Sequence, residues 1–187
     1  MALTFSPYGG LAGLLIVEGP AFPDDRGVFM ESFRADEWAE AGLPPFVQDN
    51  FSRSRRGVIR GLHFQKNPAA IGKLVRCTRG RIFDVAVDLR RGSPTYLQWA
   101  SIELDGRGNR MFWVPAGFAH GFLALEDADV AYKVTGLWSA AVDGGLRWND
   151  PTVGVRWADA GVAPVLSGKD AFLPLLDACG ADFVWKP

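Results

Sequence analysis

The sequence predicts a mainly β chain, an antiparallel sandwich or barrel with a few short helices, on three observations. Short runs of strand-forming residues are separated by turn residues along most of the chain. Within residues 81–90, Phe83, Val85, Val87 and Leu89 alternate with Asp84, Ala86, Asp88 and Arg90, the period of two that marks a half-buried strand. Helical patterns are confined to two short segments, and many strands with few helices make a sandwich or a barrel.

Taken in order, residues 14–17 are an apolar run ended by Gly19-Pro20. Pro23 to Gly27 is a turn, since proline presets φ and glycine accepts a positive one. Residues 27–33 then read as a strand, and 35–41, with Trp38, as a short helix stopped by Gly42. Residues 57–65 and 115–122 are strand-like and carry the two histidines of the chain, His63 and His120. Strands over 73–78 and 81–90 flank a tight turn at Arg79-Gly80. The series continues over 96–104, 109–114, 121–125 and 130–138, with Asp105-Gly106 and Gly108-Asn109 marking a hairpin turn. Residues 169–178 look helical, and Ser167 with Asp170 three residues on resembles a capping box.

Bulk properties narrow the function classes. The 187 residues fit one domain, 1–187, long enough for a sizeable core. Hydrophobic residues make up 48% and the formal net charge is -1, which argues against disorder and against a strongly basic nucleic-acid binder. No apolar run reaches the ~20 residues that span a bilayer, and the first residues lack a basic stretch followed by an apolar core, so no secretion signal is expected. Cys77 and Cys179 have no metal-ligand spacing and are too few for a disulfide framework. A reducing cytoplasm is the simplest setting, with Cys77 a packing residue.

Chemistry concentrates on the strands. Strict alternation would point Arg60 and Leu62 one way and Ile59, His63 and Gln65 the other. A core histidine satisfied by its neighbours would account for His63 equally well. The company of Arg60, Lys73, Gln48 and Asn50 favours a site, because polar groups in strand interiors are costly unless they bind something. Histidine is also the side chain best suited to move protons near neutral pH. His120 follows Pro-x-Gly-x-x-His, which suits either a turn histidine bonded to backbone or one at a barrel mouth. Taken alone, Lys73 is a solvated lysine at a strand start, Tyr132 a packed aromatic, Asp170 a helix N-terminal carboxylate, and Asp24, Asp25 and Arg26 a solvated turn.

Together these segments resemble the dTDP-4-dehydrorhamnose 3,5-epimerases of the cupin, or jelly-roll, superfamily, from about Leu14 to Asp177. The likeness is carried by residues 25–33, Gln48-Asp49-Asn50, Arg60-Gly61-Leu62-His63-Phe64-Gln65, Gly72-Lys73-Leu74-Val75-Arg76, Phe83-Asp84-Val85-Ala86-Val87-Asp88, residues 115–122 and Trp148-Asn149-Asp150-Pro151. It implies a jelly-roll β-barrel with peripheral helices that epimerises a nucleotide-linked 4-keto-6-deoxyhexose during synthesis of rhamnose or a related deoxysugar. It implies His63 as general base, Asp170 as the carboxylate that orients it, Tyr132 as the acid that returns a proton, and Lys73 as the cation near the ketone oxygen. Arg26, Phe29, Glu31, Gln48, Asn50, Arg60, His120, Trp138, Asp143 and Lys169 match substrate-contacting positions. Arg26 and Glu31 would come from a partner subunit, implying a homodimer, and no metal or organic cofactor is implied.

The chain departs from the family pattern at Leu137-Trp138, where two tyrosines are common, at Asp143 in place of a glutamate, and at Phe51 in place of a histidine. One rival is a metal-dependent cupin, but His63-Phe64-Gln65 lacks the second histidine of a His-x-His motif, and two histidines without a nearby cysteine make a poor transition-metal site. The other rival is a non-catalytic sugar-nucleotide binder, against which the joint presence of His63, Asp170, Lys73 and Tyr132 argues.

Overall fold

The computed structural model describes residues 2–186. Its central strands are β5 (Gln48–Ser54), β6 (Ile59–Gln65), β7 (Lys73–Arg79), β8 (Arg81–Asp88), β9 (Trp99–Asp105), β10 (Arg110–Val114), β11 (Phe118–Ala124) and β12 (Ala128–Val134). They pair in nested fashion, β8 with β9, β7 with β10, β6 with β11 and β5 with β12, all antiparallel. This is one long hairpin rolled up, the jelly-roll arrangement. Preceding these are β1 (Thr4–Pro7), β2 (Leu15–Glu18), β3 (Ala21–Asp24), β4 (Gly27–Met30) and helix α1 (Ala35–Glu40); following them come β13 (Asp143–Gly145) and helix α2 (Gly168–Ala171).

Two sheets face each other, in the orders β1-β2-β10-β7-β12-β5 and β13-β6-β11-β8-β9, while β3 and β4 form a separate ribbon. No ladder closes them into a continuous barrel among the described residues, so the sandwich form of the expectation holds. The turn at Asp105-Gly106 is not a hairpin. Asp105 accepts from the backbone N–H of Arg107 and Gly108 at 2.8 and 3.0 Å, and the chain crosses from one sheet to the other. Arg79-Gly80 makes the same kind of crossing between β7 and β8.

The inter-sheet core contains Ile16, Val75, Phe112, Ile82, Ala86, Phe118 and Phe122. The outer face of the β6-β11-β8 region is also buried, with Leu62, Phe64, Val85, Val87 and Leu89 packed beneath Leu146, Val153, Cys179 and Phe183 of the C-terminal segment. Strand 81–90 is thus buried on both faces rather than on one: Asp84 and Asp88 lie on the inter-sheet side with Ile82 and Ala86 and are fully buried. Both cysteines are free and buried. Trp38 of α1 caps the other outer face against Leu74, Met111 and Trp113, its indole N–H donating to the Pro44 carbonyl at 2.8 Å.

Several boundaries differ from expectation. The strand over 27–33 ends at Met30, the one over 96–104 starts at Trp99, and the one over 130–138 stops at Val134. His120 lies within β11, which begins at Phe118. The expected helix over 169–178 is two short pieces, α2 and a single 3₁₀ turn at Leu176–Ala178. Pro174 between them has no N–H to continue a helix and disfavours helical backbone at Leu173.

Candidate active site

The decisive local feature is a bulge in β6. His120 pairs with His63 and Phe122 with Arg60, so Gly61 and Leu62 together oppose Gly121. The extra residue breaks the alternation and puts Arg60 on the same inner side as His63, which corrects the expectation that they face apart. Arg60 reaches across to β5, donating to Ser54 Oγ at 2.9 Å and to the Arg53 carbonyl at 3.1 Å. Only glycine fits the bulge: Gly61 has φ of +123°, and a Cβ there would lie 2.7 Å from Gly121 Cα and 2.8 Å from the His120 carbonyl oxygen.

A cavity of about 420 Å³ opens between the sheets and is lined by Gln48, Asn50, His63, Lys73, Tyr132, Trp138, Asp143 and Lys169, with Phe64, Gln65, Ile71 and Val134 completing the wall. His63 comes from the β6 sheet, whereas Asn50, Lys73 and Tyr132 come from the opposing one. The two groups expected to meet one ring from opposite sides therefore share one chamber.

Behind His63 stands Asp170, buried, with Oδ1 2.5 Å from His63 Nε2. Ser167 caps α2 by accepting from the Asp170 N–H at 3.0 Å, and its hydroxyl donates to Asp170 Oδ2 at 2.7 Å. The cap is thus real, but the carboxylate faces the imidazole and the serine hydroxyl. Burial opposes the charge on Asp170, yet the hydrogen bonds from His63 and Ser167 outweigh it and hold the carboxyl below its usual range. Each of the two histidines has such a partner: His120 Nε2 lies 2.7 Å from Asp84 Oδ1 on β8. Burial keeps the His120 pKa low, with Asp84 pulling the other way.

Lys73 donates to the His63 carbonyl at 3.3 Å. Burial brings its pKa down to about 8, partly offset by Asp84 and Asp143. Burial raises Tyr132, against the nearby Arg60, so the phenol keeps its proton well into alkaline pH. At the mouth, Lys169 and Asp143 form an ion pair. Gln65 pins the adjoining loop: its amide donates to the Ala69 and Leu137 carbonyls at 2.9 and 3.2 Å and accepts from the Ser139 N–H at 2.6 Å. Gln48 accepts from the Trp138 N–H at 3.3 Å, leaving the Trp138 side chain 61% exposed over the opening.

Arg26, Phe29 and Glu31 are not brought to this cavity within one chain. Arg26 pairs with Asp24 on the β3–β4 ribbon, Phe29 is 69% exposed, and Glu31 Oε1 is buried without a hydrogen-bond partner. Arg60 and His120 stand beside the cavity, Arg60 near Tyr132 and His120 near Lys73 and His63. Asp84 and Ser167 were not among the expected site residues, whereas Gln65, the amide on the His63 face of its strand, does line the cavity. The sequence did signal Asp84, as a carboxylate inside an apolar strand. Among the described residues no cluster of three or more His, Cys, Asp or Glu side chains is placed to hold a metal ion.

Comparison with known proteins agrees with this geometry. The sequence model of the family described as dTDP-4-dehydrorhamnose 3,5-epimerase matches residues 9–178. A dTDP-4-dehydrorhamnose 3,5-epimerase of Sinorhizobium fredii is 50% identical over 173 residues, covering 89% of this chain and 86% of that protein. The crystal structure of a dTDP-6-deoxy-D-glucose-3,5-epimerase from Legionella pneumophila, in complex with dTDP-4-keto-L-rhamnose, superposes with a TM-score of 0.89 at 43% identity, covering 94% of each chain. A 3'-monoepimerase from Streptomyces bikiniensis in complex with dTDP-quinovose superposes with a TM-score of 0.85 at 32% identity, covering 92% of this chain and 87% of that one. With a matching architecture and so extensive a sequence match, the chain belongs to the dTDP-4-dehydrorhamnose 3,5-epimerase family.

Proposed function

We propose that the protein inverts C3 and C5 of a dTDP-linked 4-keto-6-deoxyhexose by proton transfer through an enolate. The observation that carries this reading is the single cavity walled by an aspartate-backed His63 on one sheet and by Lys73 and Tyr132 on the other. A ketone at C4 acidifies the hydrogens at C3 and C5, because the electron pair left behind delocalises onto oxygen. His63 takes the proton, a step in which a positioned base contributes roughly 100- to 10,000-fold. Asp170 fixes the ring and favours its charged form. Lys73, with its pKa about 8, is mostly protonated at neutral pH and stabilises the enolate oxygen in a site partly shut off from water. Tyr132, kept protonated by its raised pKa, returns a proton to the opposite face of the carbon. At each carbon one C–H bond is broken and one made, and the enzyme is restored when His63 releases its proton to solvent and Tyr132 regains one, so the cycle balances without an oxidant.

Arg60 is suited to the diphosphate, Trp138 to stacking on the base, and Gln48, Asn50, His120, Asp143 and Lys169 to the remaining contacts. We place the β3–β4 ribbon in the site of a second copy. Arg26 and Phe29 do not line their own cavity, and exposed Phe22, Val28 and Phe29 on one small ribbon suit burial against a partner. The cytoplasm is the proposed setting, in keeping with two free thiols.

The test is to incubate the purified protein with the 4-keto sugar nucleotide in deuterated water and follow C3 and C5 by NMR. Deuterium at both carbons with inverted product supports the reading. Deuterium at C3 alone would make it a single-carbon epimerase, and exchange no faster than background would leave a non-catalytic binder. Metal analysis of the same sample addresses the metal-dependent alternative, which a stoichiometric iron or zinc content would favour.

A further inference from the structure

Asp84 is a carboxylate with no structural account. It is fully buried in β8, its Oδ1 is engaged by His120 Nε2 at 2.7 Å, and its Oδ2 has no hydrogen-bond partner. Four residues along the same strand, Asp88 shows what a structural carboxylate looks like here. Asp88 Oδ1 accepts from the backbone N–H and Nε of Arg90, and Oδ2 accepts from Arg90 Nη2, Ser93 and Thr95. An enclosed carboxylate oxygen without a donor is costly, and such exceptions collect where a charge is wanted.

The charges around the cavity show where that one acts. The groups facing Lys73 are Asp84 from β8, Asp143 from β13, Lys169 from α2, and His63 and His120 from β6 and β11. Asp143 is paired with Lys169, and Asp170 is engaged by His63 and Ser167. Asp84 has only His120, whose burial disfavours the charged ring. Within this set, the Asp84 carboxylate and the Lys73 ammonium are the two charges left without another ionic partner.

Taking the epimerase reading as its basis, we infer that Asp84 is a positioning residue for the reaction: its buried carboxylate keeps Lys73 protonated at the ketone oxygen and, through the His120 bond, fixes the tautomer of the imidazole beside it. Asp84 does not touch substrate; it acts through Lys73 and His120. The neutral tautomer of His120 that donates Nε2–H to Asp84 leaves Nδ1 free to accept.

The test is the pH profile of kcat/KM for Asp84→Asn, an isosteric change that removes the charge, together with an NMR titration of the Lys73 ammonium without substrate. Lys73→Arg, which removes the alkaline limb of the profile, assigns that limb to Lys73. Loss of a neighbouring opposite charge lowers an ammonium pKa by roughly 1 unit or more. The limb and the NMR titration should therefore both move down by about that much, giving a deficit that approaches about tenfold above pH 8 and nearly vanishes near pH 6. A deficit of equal size at every pH, with the Lys73 titration unmoved, would overturn the inference and leave Asp84 a packing residue. Should Asp84→Asn not fold, His120→Gln decides, because it keeps the carboxylate and replaces only its hydrogen-bond donor. The Lys73 titration should then stay at or above its wild-type position, and a fall of a unit would place the effect on the imidazole and contradict the inference. Failure of the wild-type protein to exchange deuterium would count against the epimerase reading alone, since the Lys73 titration needs no turnover.

Discussion

Replacing Asp170 with asparagine probes the residue on which His63 leans without changing the shape of the site. The carboxylate is buried and sits 2.5 Å from His63 Nε2. A hydrogen bond to a charged group contributes about 1.5–3 kcal/mol, and the imidazolium formed as His63 takes a proton is stabilised by the carboxylate but not by a neutral amide. Each 1.36 kcal/mol is a factor of ten in rate, so kcat should fall by about 10- to 150-fold. Asp170 lies behind the ring and does not line the cavity, which predicts KM within about threefold of wild type. The assay is the initial rate of deuterium incorporation at C3 and C5, with saturation curves for both proteins. A loss below threefold, or one confined to KM, would refute the reasoning. The same variant has a stability signature. A carboxyl held below its usual range stabilises the fold at pH values above the unfolded pKa, and that contribution is lost as pH falls through the folded value. Thermal melts between pH 6 and 2 should therefore show a shallower acid decline for Asp170→Asn than for wild type.

Two further outcomes follow from residues that do not touch substrate. Asp88→Asn strands the Arg90 guanidinium, which otherwise bonds Asp88 and lies 4.4 Å from the ring centroids of Phe118 and Trp185; breaking such a buried pair costs about 3–5 kcal/mol, and a drop in urea midpoint worth less than 1 kcal/mol would contradict this. Gly61→Ala forces a side chain into the backbone of β11 at a positive φ; strain of this kind costs about 1–3 kcal/mol and should reduce turnover by more than the loss of folded protein explains, because Arg60 and His63 flank the bulge. Activity per folded molecule equal to wild type would detach the bulge from the site.

Much of this architecture was legible in the chain. The alternation in 81–90 and the turn residues between apolar runs announced antiparallel strands, and the order of the motifs from Arg26 to Asp170 pointed to the family. Alternation could not reveal the bulge at Gly61, since a single extra residue leaves no periodic trace and declares itself only through a partner strand. Nor could it show which face of 81–90 turns inward: the apolar face of Val85, Val87 and Leu89 is covered by the distant C-terminal segment, so Asp84 and Asp88 lie between the sheets on the side of Ile82 and Ala86. Strand β5 carries no legible strand pattern. Its inward positions Gln48, Asn50, Ser52 and Ser54 are all polar, so its hydrophobic signal was missing where the cavity needed hydrophilic walls. The tail carries a real cap signal at Ser167, but Pro174 breaks the helix that the signal begins.

The most direct test of the mechanism follows both halves of the proton transfer in Tyr132→Phe, using substrate labelled with deuterium at C3 and C5. Removing a general acid costs roughly 100-fold or more in the step that it serves. With His63 intact, label should still wash out to solvent within a few-fold of the wild-type rate, while inverted product should fall by about 100-fold. Equal loss of wash-out and inversion, or inversion that survives without the phenol, would mean that no proton arrives from the Tyr132 side and that inversion across the ring is the wrong description.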